Sequence, residues 1–211
     1  MRLPAYLSTR PSLRSLRDSR ALRPCRRVAN HTRCTALHFH VGMGGAQLCV
    51  TEALLEACPE AVRARDRNGQ LPLHWAVMHT TAFIESAFES ATPVVQALLR
   101  AHPAGAMAWD VEGNLALHGA AVDNATLEVI HLLIEANPSA AAARNLAGET
   151  PLDLARVVAG PGGSAEVGGR LALLEQAAAA VPDSDVVPND DAGSMRGFVC
   201  EICAGGRGVE V

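Results

Sequence analysis

The sequence predicts an all-α protein, a solenoid of stacked helix-turn-helix units joined by β-turn loops. Three observations carry this: a tetrapeptide that recurs along the chain, a second block that recurs in step with it, and an unusual apolar composition. Apolar residues make up 49% of the chain but aromatics only 3%. Ala and Leu supply most of that fraction, which suits thin helical layers better than a thick globular core.

The tetrapeptide appears as Thr35-Ala36-Leu37-His38, Leu71-Pro72-Leu73-His74, Leu115-Ala116-Leu117-His118 and Thr150-Pro151-Leu152-Asp153, its Leu positions 36, 44 and 35 residues apart. The second block is Leu54-Leu55-Glu56-Ala57-Cys58-Pro59, Leu98-Leu99-Arg100-Ala101-His102-Pro103 and Leu133-Ile134-Glu135-Ala136-Asn137-Pro138. A third signal precedes the tetrapeptide: Asp66-Arg67-Asn68-Gly69, Asp110-Val111-Glu112-Gly113 and Asn145-Leu146-Ala147-Gly148 each place Asp or Asn three residues before Gly, as a β-turn prefers. Each unit therefore reads as turn, short helix, reversal, second helix and an extended segment to the next turn.

Pro72 and Pro151 fall where a helix begins, because a missing N–H is harmless there and the fixed φ already suits the helix. Thr150 is placed to cap. Leu115, Leu117, Ala120 and Ala121 line one first helix, and Leu127, Val129, Ile130, Leu133 and Ile134 give its partner an apolar stripe. Pro59, Pro103 and Pro138 stop the second helices. Helix pairs this short cannot bury their apolar faces alone, so stability must come from stacking.

These residues resemble the ankyrin repeat, whose period is about 33 residues and whose signature is a turn followed by Thr-Pro-Leu-His-x-Ala. The resemblance implies an array over residues 34–180, divided 34–65, 66–109, 110–144 and 145–180. The first unit lacks the Asp-x-x-Gly turn, and Gly42, Gly44 and Gly45 loosen its reversal, as in a divergent cap. The fourth has Asp153 in place of His and the run Gly160-Pro161-Gly162-Gly163-Ser164 before Leu171-Ala172-Leu173-Leu174-Glu175, as in a carboxy-terminal cap with a long loop, or half a repeat. About ten extra residues lie between Met78 and Val94, where Phe83, Ile84, Ala87 and Phe88 have helical spacing.

In the family, turn tips and the inner helix face form the binding surface. Carried over position by position, this implies partner-binding residues Arg67, Asn68, Gln70, Glu112, Asn114 and Glu149 at the tips, with Met78, His79, Asp123 and Asn124 at helix ends. Trp75 either fills a gap between units or presents an aromatic anchor to a partner. The tips are mildly acidic, which suits a partner of basic character. His38, His74 and His118 share one repeat position and are held about 10 Å apart by helix stacking, so they cannot share a metal. The resemblance implies that each bonds turn backbone between neighbouring units.

Enzyme chemistry finds no foothold. There is no nucleophile elbow, phosphate-binding loop or His-Glu-x-x-His pair, so no catalytic residue, resident metal or cofactor is expected. Cys25, His31, Cys34, His38 and His40 match no zinc spacing. Cys49 and Cys58 fall in apolar helical patterns as reduced core thiols. Cys200-Glu201-Ile202-Cys203 is a half zinc site, a weak metal candidate that is similar to the opening of a RING zinc domain.

Residues 1–33 carry nine Arg and one acid, Asp18, which leaves nine Arg against 21 acids in residues 34–211. The body is thus too acidic for nucleic-acid binding. The leader reads as a disordered basic arm or a transit-like segment, and residues 181–211 as an acidic, Gly-containing disordered tail. No apolar run approaches the ~20 residues that span a bilayer. The expectation is a monomeric cytoplasmic scaffold that binds a protein partner, touches neither membrane nor nucleic acid, and moves to a mitochondrion or plastid if the leader is a transit peptide. The alternative is the substrate-recruiting part of a ubiquitin ligase system whose RING-like module is truncated or supplied in trans.

Overall fold

The computed structural model describes residues 34–42, 46–78, 91–123, 125–160 and 165–182. The leader, the tail with Cys200 and Cys203, the inserted residues 79–90, Gly44, Gly45 and Asn124 lie outside the described residues. Among the described residues there are eight α-helices and no strand. They are α1 (Ala36–Gly42), α2 (Leu48–Ala57), α3 (Pro72–Met78), α4 (Thr92–Ala101), α5 (Ala116–Val122), α6 (Leu127–Ala136), α7 (Pro151–Ala159) and α8 (Ala165–Ala180). None is long and apolar enough to cross a membrane.

The helices pack in two rows. α1, α3, α5 and α7 touch in succession, as do α2, α4, α6 and α8, and each first-row helix also contacts its sequence partner in the second row. The core runs between the rows. Leu37, Leu117, Leu98, Leu133 and Leu174 are fully buried, with small residues such as Ala76, Ala116, Ala120 and Ala140 filling the spaces between them. Small side chains let short helices approach closely, which is how a core nearly free of aromatic rings stays dense.

Three local readings are corrected. The segment after each second helix does not start extended: Pro59–Arg63, Pro103–Met107 and Pro138–Ala141 form 3-10 turns. The proline that ends one helix begins the next turn, since its missing N–H is not needed at a first helical position. These turns bury Ala61, Val62, Ala106, Ala140 and Ala141. Cys49 is exposed, not a core thiol, because it lies on the side of α2 turned away from α1 and α4 among the described residues; Cys34 is buried. Leu127 is 44% exposed, since it lies on the first turn of α6 away from the core, while Val129, Ile130 and Leu133 are buried. The last helix begins at Ala165 and runs 16 residues where α2, α4 and α6 have ten.

Trp75 settles between α1 and α3. Its ring meets His38 and Phe39 edge-on at centroid distances of 5.8 and 6.3 Å, and its Nε1–H donates to Asp66 at 3.1 Å. A methyl group at Gly42 would collide with the indole, so this glycine provides the space the ring occupies.

Candidate partner-binding groove

The site is organised from the turns outward. Asp66 Oδ1 accepts the N–H groups of Asn68 and Gln70, both at 2.8 Å. Asp110 Oδ1 does the same for Glu112 and Asn114 at 2.9 and 2.8 Å, and Asn145 Oδ1 for Ala147 and Glu149 at 3.0 and 2.9 Å. One side-chain oxygen thus fixes two backbone donors in each turn, the bonding for which Asp and Asn are favoured there. Each chain reversal is completed by a glycine with φ of 71, 72 or 81° at Gly69, Gly113 and Gly148, a region that costs other residues energy.

Successive turns are then tied to one another. Val111 N–H donates to Asn68 O at 2.9 Å and Leu146 N–H to Glu112 O at 3.1 Å. Side chains repeat the link: Gln70 donates to Asp110 Oδ2 at 3.3 Å, and Asn145 to Asn114 Oδ1 at 3.1 Å. Arg65 braces the first junction from below, donating to the carbonyls of Gly69 and Trp109 at 2.6 Å each.

The repeated histidines lock turns to helices. The Nδ1 atoms of His38, His74 and His118 accept the N–H of Thr35, Leu71 and Leu115 at 3.2, 3.1 and 3.2 Å. An accepting Nδ1 places the proton on Nε2, which donates forward to Gln70 O from His38 and to Ala108 O from His74, at 3.1 Å each. His118 differs. Its Nε2 is buried beside the carbonyls of Ala143 and Glu149 without closing a hydrogen bond to either. Burial lowers the pKa of all three, and that of His118 falls to about 4; they are neutral at pH 7. Asp153 takes the histidine's local role: its carboxylate accepts from Thr150 N and Oγ1 at 3.1 and 2.8 Å, which holds its own pKa down.

Above this scaffold runs a groove of about 280 Å³. Val77 and Met78 from α3, Leu115 at the N-cap of α5, Ala116 and Val122 within it, and Leu154 from α7 contribute its apolar lining. Gln70, Asp110, Glu112, Asn114, Asp123, Asn145 and Glu149 contribute its polar lining. Of the residues expected from sequence, Gln70, Met78, Glu112, Asn114, Asp123 and Glu149 meet here. Arg67 and Asn68 are exposed on the preceding tip but do not line it, and Trp75 lies away between α1 and α3. His79 and Asn124 are outside the described residues. Sequence reasoning had placed Asp110 and Asn145 only as turn formers; their second oxygen or amide also faces the neighbouring tip.

The groove is acidic. Among the described residues its wall has four carboxylates and no Arg. Among the described residues the ion pairs are His131–Glu135 at 3.4 Å and Arg156–Glu175 at 2.7 Å, and no described arginine forms an ion pair with Glu112 or Glu149. No three His, Cys, Asp or Glu side chains among the described residues converge as a metal site requires. What the arrangement offers is carboxylate and amide groups beside an apolar lining.

A second, larger depression of about 660 Å³ lies on the opposite row, between Thr92 and Gln96 of α4, Leu127, Glu128, His131 and Leu132 of α6, and Gly169, Ala172, Leu173 and Gln176 of α8. No sequence motif marks it. No family model matches this sequence, and no curated protein matches it.

Proposed function

We propose that this protein is an ankyrin-type binding scaffold without chemistry of its own, which grips a basic, extended segment of a partner protein in the turn-face groove. The observation that carries this is convergence: residues chosen for their place in a repeated turn motif, far apart in sequence, line one acidic groove. The tips around it are held by backbone and side-chain bonds from one turn to the next. A preorganised surface loses little freedom on binding, which favours affinity. Opposite charge on the partner speeds its capture and fixes its register. The ubiquitin-ligase alternative rests on Cys200 and Cys203, which lie outside the described residues, and no observation favours it.

The test is selection from a displayed peptide library by the full chain and by the Glu112→Arg/Glu149→Arg variant. Arg- or Lys-bearing peptides should be enriched by the first and bound at least about tenfold more weakly by the second, with an unchanged circular dichroism spectrum. Peptides chosen without regard to charge, and retained by the variant, would remove the reading.

A further inference from the structure

We infer that the groove's first occupant is part of this same chain, the Arg-rich segment 12–23, docked in cis. This rests on the groove reading above and names what fills it. Three observations on different parts of the molecule agree.

Charge is the first. Among the described residues the groove wall carries the carboxylates Asp110, Glu112, Asp123 and Glu149 and no Arg, whereas residues 1–33 hold nine Arg against one acid. Half of the arginines of the chain are thus gathered in the segment that precedes an acidic body.

Period is the second. The segment reads Ser12-Leu13-Arg14-Ser15-Leu16-Arg17-Asp18-Ser19-Arg20-Ala21-Leu22-Arg23, with Arg at every third position from 14 to 23 and Leu at 13, 16 and 22. An extended polyproline-II chain has three residues per turn and rises about 9 Å per turn. Bound in that form, it would carry one edge of Arg and one of Leu. Stacked helices are spaced about 10 Å apart, close to that rise, so successive arginines would meet successive turn tips. Glu112 and Glu149 stand on neighbouring tips, above a floor that includes Val77, Met78, Leu115 and Leu154. Acidic rim and apolar floor match the two edges.

Reach is the third. Arg23 precedes Cys34, where the described chain begins, by 11 residues, and 11 extended residues span up to about 35 Å. The groove lies one to three helix spacings from α1, roughly 10–30 Å at about 10 Å per spacing. A tether of this length holds the segment near its site at about millimolar effective concentration, so a partner must displace it.

The experiment is amide NMR on the full chain and on a variant with Arg14, Arg17, Arg20 and Arg23 all changed to Gln. Docking in cis predicts that the variant shifts the resonances of Gly113, Asn114 and Glu149 and the side-chain amide of Gln70, leaving α2 and α8 unmoved. It predicts the same shifts in the full chain on going from about 0.01 M to about 1 M salt, where the screening length falls from about 30 to about 3 Å. A free peptide of residues 12–23 should bind the variant about tenfold more tightly than the full chain, which must first release its own segment. Spectra that superimpose outside residues 1–33 overturn the inference, as do shifts that grow with protein concentration, which would place the segment in a second copy. If the superimposed spectra are accompanied by free-peptide shifts at the groove, the groove reading stands and only cis docking fails. If the free peptide also leaves the groove unmoved, both fall.

Discussion

The turn face and the opposite face of the second helix row are built by different rules. On the turn face one Asp or Asn oxygen accepts two backbone N–H groups in each turn, adjacent turns bond to one another, and glycines sit at positive φ. On the other face the depression between α4, α6 and α8 owes its shape to packing: Leu127 stands 44% exposed beside Gly169. The first surface is specified by short-range bonding and is stiff. The second is what remains when helices of unequal length meet.

Deleting buried and exposed leucines should separate the two faces most widely. Leu117 is 1% exposed beneath the turns; Leu117→Ala should cost about 3–4 kcal/mol, the transfer loss plus a cavity. Leu127→Ala, on the opposite face, should cost only about 1 kcal/mol because the side chain is 44% exposed and leaves no enclosed cavity. Urea unfolding with a shared m-value measures both. Similar losses at the two sites would mean that the second face is as tightly packed as the first.

Acid should act through the turn face. The native pKa of His118 is about 4 against 6.5 in an unfolded chain, because burial disfavours the imidazolium. Between those values the unfolded chain binds the extra proton, so stability is complete above pH 6.5 and is lost as pH falls towards 4. For His118 alone the loss between pH 7 and pH 5 is about 2 kcal/mol, and His38 and His74 act in the same direction. His118→Asn keeps an acceptor for Leu115 N–H but does not titrate. Its stability should start lower at pH 7 and fall less towards pH 5; an unchanged slope would show that His118 does not carry the effect.

Glycine substitutions should differ in sign. At Gly148, φ is 81° and a methyl group would meet nothing within 4 Å, so Gly148→Ala isolates the backbone cost, about 1–2 kcal/mol. Gly169 is inside α8, where an added methyl would touch Leu127 at an ordinary 3.6 Å. Gly169→Ala should therefore stabilise by about 0.5–1 kcal/mol. Thermal unfolding of both variants checks the contrast.

This difference also explains how much could be read from the sequence. The all-helical class was legible because Leu spacing, helix-starting Pro and turn Gly are local rules that agree with one another. The turns themselves were legible for the same reason: Asp110 to Gly113 specifies its own reversal, with Asp110 Oδ1 accepting from Glu112 and Asn114 and Gly113 at positive φ. Trp75 was ambiguous because its environment depends on Gly42, 33 positions earlier. Cys49 and Leu127 were misplaced because helical periodicity identifies an apolar stripe but not whether a neighbour covers its edge. The second depression left no trace, since Thr92, Leu127 and Leu173 meet only through packing.

The smallest expected effect lies at the last junction, where Arg156 of α7 pairs with Glu175 of α8 at 2.7 Å, with the two side chains 54% and 52% exposed. The short distance suggests a strong tie between the two rows, but half-exposed charges keep much of their hydration and pay side-chain entropy to meet. A double-mutant cycle of Arg156→Ala and Glu175→Ala should give a coupling of about 0.2–1 kcal/mol, reduced by added salt. It removes the pairwise contribution from whatever packing the arginine stem provides. A coupling clearly above about 1 kcal/mol would mean that this edge is held by charge as the turn face is held by hydrogen bonds, and that the two faces differ less than their construction implies.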